Sequence, residues 1–449
     1  MESGSTEPAG KGARAAGGLP PLRALLHKCA GILALTIANA GIQFGLTVST
    51  ANMLAPADYG DMVVGMAALA FGVNIALLGS ERSITRFLPE YLRQGDTASA
   101  IGYLKFFLPL ILAVAITAAL IAEALHDTGV VGMVLGPEEA RSHPYIVALW
   151  IVPLLALARI TARLLRGFQL YLFAVAPLQI GAPILLLLFL LAAHALDLQL
   201  TEIDIFLAMA LSYLLVLVLH LLLVPGHFRR RVGQRGQYDV RTWIALSLPM
   251  MVTAIIAGAM FQLDLVMLEI LSPDETEVGH FAGAMRVIRP MGLPLAAMLI
   301  LLTPLLGHIA GTASETMDRR RLFLWTSTVL VPANGLLLAG LLLFPAQILS
   351  LLGSGYAEAA DILMLLGVLE FVIGSFGLGA VLLQYAGGQR LVLWLSLAAL
   401  SANALGNLAL IPPMGAKGVA VASLASYGGF ALIATTIAAH RFELLCRLR

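Results

Sequence analysis

The sequence predicts an all-α polytopic membrane protein that crosses the bilayer twelve times, and three observations lead there. Hydrophobic residues make up 59% of the chain and charged residues 12%, at a mean hydropathy of +0.92. Soluble domains are only about half apolar, so a water-soluble fold would not hide this much apolar surface. The apolar residues gather in runs close to the ~20 residues that a helix needs to span a bilayer, and Lys and Arg collect between alternate runs.

Charged residues, Pro and Gly delimit the runs. Residues 1–22 are small, polar and Gly/Ala-rich and read as a disordered cytoplasmic tail. The first run, 29–54, is too long for a signal-peptide core and lacks a cleavage site, so it stays as the first span. The second, 60–79, lies between Asp58 and Arg82. The third and fourth, 101–125 and 144–164, flank a loop holding Glu138, Glu139 and Arg141. The fifth is 171–194, and the sixth, 204–225, runs from Glu202 and Asp204 to the cluster Arg229, Arg230, Arg231, Arg235 and Arg241. The seventh, 243–270, and the eighth, 278–306, are joined through Asp274, Glu275 and Glu277. Arg319, Arg320 and Arg321 precede the ninth, 322–345; the tenth and eleventh, 361–386 and 391–411, meet near Arg390, and the twelfth is 418–439. No polar stretch is long enough for a separate soluble domain, and no nucleic-acid partner is expected.

Positively charged loops are retained in the cytoplasm. Lys11, Arg14, Arg23 and Lys28 lie on one side with Arg86, Arg93, Arg159, Arg163, Arg166, the later clusters and Arg441, Arg447 and Arg449, against Arg141 and Lys417 on the other. Both termini are therefore expected in the cytoplasm, and the arginine clusters read as topology signals. The only cysteines, Cys29 and Cys446, argue against a disulfide framework or a Cys-based metal site.

An internal repeat divides the spans. Leu54-Ala55-Pro56-Ala57-Asp58-Tyr59-Gly60 resembles Leu271-Ser272-Pro273-Asp274 followed by Val278-Gly279, and Leu135-Gly136-Pro137 resembles Leu352-Gly353-Ser354. The offsets 273 − 56 and 353 − 136 are both 217, as a duplicated six-helix unit requires. The predicted organisation is a six-helix lobe over 23–225, a cytoplasmic linker over 226–242, a second lobe over 243–440 and a tail over 441–449. Even span numbers place the pseudo-twofold axis along the membrane normal, with a cleft between the lobes.

Read in order, several segments resemble the polysaccharide-transporter branch of the multidrug/oligosaccharidyl-lipid/polysaccharide (MOP) flippase superfamily, the Wzx-type exporters. They are Leu54 to Gly60, Arg86-Phe87-Leu88-Pro89-Glu90-Tyr91, Leu135 to Ala140, Asp264, Val278-Gly279-His280-Phe281, Asn403 to Pro412 and Gly415-Ala416-Lys417-Gly418-Val419-Ala420. One departure is Ala51-Asn52-Met53, where a basic residue commonly precedes the Leu-x-Pro turn. The resemblance implies a MATE-like fold in a bacterial inner membrane. The implied activity is moving an undecaprenyl-pyrophosphate-linked oligosaccharide between leaflets, as a monomer, for a polysaccharide polymerase and glycosyltransferases of the same pathway. A cation-coupled multidrug exporter is the alternative. A membrane-embedded polymerase or glycosyltransferase is disfavoured, because no sizeable loop carries catalytic acids.

Ionisable groups inside spans are costly and are the first functional candidates. Arg286 and Arg289, three apart on the eighth span, share a face and suit a pyrophosphate or acidic sugar; alternatively, one pairs with Asp264 on the seventh. Glu370, mid-way along the tenth, is either a proton-coupling carboxylate or an interhelical hydrogen-bonding group. Asn39 and Gln43, and likewise Asn403 and Asn407, are one helical turn apart, suited to interhelical bonds or to cavity lining. No cofactor is expected beyond H+ or Na+ as coupling ion.

Overall fold

A computed structural model describes residues 22–129, 144–231, 233, 235–272, 274–299, 302, 315–385 and 388–441. The described residues contain helices and turns and no strand. In chain order the helices are α1 (Leu22–Met53), α2 (Pro56–Ala76), α3 (Ser80–Gln94), α4 (Thr97–Asp127), α5 (Tyr145–Gly167), α6 (Tyr171–Ala195), α7 (Glu202–Leu223) and α8 (Gly226–Arg231). The second half adds α9 (Val240–Leu271), α10 (Glu275–Ile288), α11 (Glu315–Leu343), α12 (Pro345–Leu349), α13 (Ala360–Phe376), α14 (Leu378–Tyr385), α15 (Gln389–Met414) and α16 (Ala416–Arg441).

Nine helical segments among the described residues are long and apolar enough to cross a membrane, and they coincide with the second to sixth and ninth to twelfth predicted spans. The first and seventh predicted spans fall on α1 and α9, of 32 residues each. The eighth opens with α10, passes through a 3-10 turn at Arg289–Gly292 and continues helically over 293–299. Leu188, Leu222, Leu336, Trp394 and Leu405 are among the large apolar side chains left exposed, as a lipid-facing surface requires.

Some boundaries differ from expectation. Leu22 opens α1 rather than closing a tail, Arg441 still belongs to α16, and the expected 226–242 linker contains α8 and the start of α9. Arg82, Arg86 and Arg93 are not on a loop but on α3. Its buried Ser80, Ser83, Ile84, Phe87 and Leu88 recur at helical spacing, so α3 packs one apolar stripe and turns its charges outward. The loop with Glu138, Glu139 and Arg141, the Pro273 of the repeat and both tails beyond 22–441 lie outside the described residues.

The two halves meet at both ends. At the acidic end, α2 packs against α10 so closely that a Cβ on Gly60 would lie 2.8 Å from the Gly279 nitrogen. The Asn52 amide donates to the Leu351 carbonyl at 2.9 Å, and Tyr59 and Tyr356 meet edge to face at 5.9 Å. At the arginine-rich end, α9 packs against α2, α3 and α4. Here Ser83 bonds Ser247 at 2.7 Å and Tyr103 at 2.6 Å, and buried Trp243 donates to the Tyr91 hydroxyl at 2.9 Å. Gly79, at φ 72°, takes a left-handed conformation there, and a Cβ would overlap the Ser247 carbonyl.

Candidate functional site: a cavity with two arginines and a separate buried carboxylate

The sequence-predicted Asn39, Gln43, Arg286 and Arg289 converge. α1 presents Thr36, Asn39, Gln43 and Thr47 along one face, and α10 with its 3-10 extension presents Arg286 and Arg289, around a cavity of about 230 Å³. Pro290 lacks the N–H that would continue the helical ladder, and the tighter turn begins at Arg289. A second cavity of about 110 Å³ shares Gln43, Thr47 and Arg286 and extends to Thr50, Tyr59, Ser212 and Tyr213.

The polar inventory favours an anion. Neither cavity is lined by an acidic residue. Arg286 is half-buried, its Nη2 reaching only the Met66 sulfur at 3.6 Å, a weak acceptor. Arg289 is exposed to the cavity side, and among the described residues neither arginine has an ion pair. The Asn39 Oδ1 is buried with no hydrogen-bond partner among the described residues. Guanidinium forks outside any ion pair can donate bidentately to phosphate or carboxylate oxygens.

The alternative pairing of an arginine with Asp264 is not what the structure contains. Asp264, buried on α9, accepts from the Asn407 amide at 2.8 Å and from the Ser423 hydroxyl at 2.5 Å. Asn407 also donates to Asn403 Oδ1 at 3.3 Å, and Asn403 donates to Ser423 at 3.1 Å. The Asn403/Asn407 pair thus bonds between helices α9, α15 and α16. Among the described residues these helices bring a carboxylate and neutral oxygens together with no cationic partner, and Asn407 Oδ1 and the Tyr427 hydroxyl are buried and unbonded. Such an oxygen-rich nest is suited to a proton or a hard cation.

Glu370 is half-buried on α13, lines neither cavity, and has no ion pair or hydrogen bond among the described residues, although it interacts electrostatically with Arg289. Sequence reading paired Asn403 with Asn407 but missed Ser423 and Tyr427. Their own four-residue spacing on the following span was the available signal. Thr47, Tyr59 and Tyr213 were likewise missed as lining residues, because hydroxyls in spans commonly bond their own backbone, as Thr47 does to the Gln43 carbonyl.

Comparison with known proteins places the arrangement. The profile of a family described as "Polysaccharide biosynthesis protein" matches residues 25–310. No curated protein sequence matches the chain. The fold is similar to an inward-facing multidrug resistance MATE family transporter of the MOP superfamily, with a TM-score of 0.67 at 16% identity over 93% of this chain and 99% of that one. It is similar to the lipid II flippase MurJ in an inward closed conformation, with a TM-score of 0.66 at 12% identity over 91% of this chain and 87% of that one. A Pyrococcus furiosus MOP superfamily transporter, described by a reversed polarity of its binding pocket, gives 0.61 at 15% identity over 95% and 97%.

Proposed function

The chain belongs to the polysaccharide biosynthesis protein family, and from that premise we propose that it is a flippase for a lipid-linked oligosaccharide. In this reading it moves an undecaprenyl-pyrophosphate-type carrier across the bacterial inner membrane by alternating access. The arginine-rich end and both termini face the cytoplasm, and the two lobes, 23–225 and 243–440, rock about the cleft.

One observation carries the reading: Arg286 and Arg289 line a cavity between α1 and α10 that has no acidic residue. A guanidinium facing a cavity inside the helices is tolerated when water or an anion satisfies it, and an anionic head group supplies the fork geometry that water does not. Asn39 and Gln43 add amides for sugar or phosphate oxygens. The multidrug alternative calls for carboxylates and aromatic faces toward a cation, and this lining offers the opposite charge. Asp264, set apart from the arginines, is the better seat for the coupling H+ or Na+, with Glu370 second. The monomer would draw substrate from the glycosyltransferases of its pathway and pass it to a polymerase.

The deciding experiment measures flipping of a fluorescent polyprenyl-pyrophosphate sugar in proteoliposomes. Arg286→Ala and Arg289→Ala should each lower the rate by at least roughly tenfold, and Lys at either position should recover part of it. Normal flipping by both Ala variants, with normal insertion, would remove this reading.

A further inference from the structure

The cluster Arg159, Arg163 and Arg166 does more than mark topology. At spacings of four and three residues these half-buried side chains share one face of α5. They line a cavity of about 410 Å³ in the first half of the chain, together with Glu81 of α3, Gln179 of α6 and Tyr213 of α7. The cavity is separate from the one holding Arg286 and Arg289, although Tyr213 belongs to the wall of the smaller neighbouring cavity as well.

Three cations on one helical face repel one another unless something negative stands among them. Glu81 supplies only one charge, and it is largely committed. Arg163 donates to its Oε1 from both Nε, at 2.9 Å, and Nη2, at 2.6 Å, whereas Arg159 approaches Oε2 only to 3.9 Å. Among the described residues Arg166 has no ion pair with that carboxylate, and its Nε is buried without a hydrogen-bond partner. Three arginines against one glutamate leave the lining at +2. Gln179 enters the cavity from a π turn, Pro177–Gly181, an irregularity that recurs at ligand sites.

We propose that this cavity is a second oxyanion site that takes a phosphoryl or pyrophosphoryl group. Arg159 and Arg166 grip it, Arg163 is held in place by Glu81, and the Gln179 amide provides a further donor. A doubly charged pyrophosphate diester matches the +2 lining, and its oxygens fit the unspent guanidinium donors. The same chemistry arrives from two sources: the head of a lipid carrier entering from the arginine-rich side, or a free phosphate anion acting on the protein. The proposal stands without the flippase reading, because it concerns binding alone.

The test is a calorimetric titration of the full-length protein in nanodiscs with inorganic pyrophosphate. Arg286→Gln and Arg289→Gln are present together so that the other arginine cavity is silent. Binding should persist in that background and weaken by roughly tenfold or more with Arg166→Gln or Arg159→Gln. Arg166→Lys, which keeps charge but not the fork, should fall between. A short polyprenyl pyrophosphate added to the nanodiscs identifies the source: displacement of inorganic pyrophosphate indicates a lipid head, and its absence indicates a soluble anion. The site is overturned if pyrophosphate does not bind, or binds equally well after Arg159→Gln and Arg166→Gln.

Discussion

Gly60 and Gly279 meet backbone to backbone where α2 crosses α10: a Cβ on Gly60 would lie 2.8 Å from the Gly279 nitrogen, and a Cβ on Gly279 would overlap the Pro56 carbonyl. Only glycine lets two helices approach this closely.

A side chain at this point should therefore wedge the acidic end open. With Gly279→Val, the added carbons would overlap the Pro56 carbonyl, and with Gly60→Ala the new Cβ would also lie 3.2 Å from the Val278 Cβ. Cysteines replacing Asn52 and Leu351, which bond across the same end, should cross-link efficiently in the parent and poorly with Gly279→Val. Unchanged cross-linking would mean that the helices yield without separating.

Asp264→Asn keeps the shape of the α9, α15 and α16 cluster and one of the two acceptor oxygens while removing its charge. Downhill movement of substrate should persist, and acceleration by an imposed proton or sodium gradient should disappear. Ser423→Ala should weaken the response less, since it removes one ligand oxygen and no charge. If Asp264→Asn responds to the gradient as the parent does and Glu370→Gln does not, the coupling role passes to Glu370.

Reporter fusions check the sidedness that the arginine asymmetry implies. A fusion after Arg235 or at the C-terminus should report cytoplasm, and one near Glu138 or Glu275 should report periplasm. Inversion of any of these would require a different span count.

Asp274 caps α10, the helix that carries Arg286. Its carboxylate accepts from the Thr276 hydroxyl at 2.7 Å and the Thr276 N–H at 2.9 Å, and these bonds hold it below the usual carboxylate range. A depressed value means that the cap contributes above the unfolded pKa of about 3.9 and is lost as pH falls through the folded value. The thermal midpoint of Asp274→Ala should therefore lie below that of the parent at pH 7, and the gap should close toward pH 3. A gap that did not narrow as pH falls would show that the carboxylate charge is irrelevant.

Most of the fold was legible in the sequence because lipid forces a simple rule: a run long enough to cross must be apolar and helical. α3 escaped that rule. Its arginines read as loop residues, although Ser80, Ser83, Ile84, Phe87 and Leu88 already carried the helical spacing. Within the candidate site, Arg286, Arg289, Asn39 and Gln43 were individually visible as polar groups in apolar runs, and their convergence was a guess that the cavity geometry supports. The partner of Asp264 was not legible, since choosing among Arg286, Asn407 and Ser423 depends on how helices distant in sequence rotate against one another. For the same reason Arg159, Arg163 and Arg166 read as topology signals until Glu81 and Gln179 closed around them.

The contacts that close the two ends share one property. Gly60, Gly279, Asn52, Leu351, Tyr59 and Tyr356 at one end, and Ser83, Ser247, Tyr103, Tyr91 and Trp243 at the other, are all uncharged. A membrane potential does work only on charge that moves through it, about 2.3 kcal/mol per elementary charge per 100 mV. Forming and breaking these contacts therefore moves no charge through the field, and voltage acts instead on the charged groups elsewhere in the helices, among them Arg286, Arg289, Asp264 and Glu370.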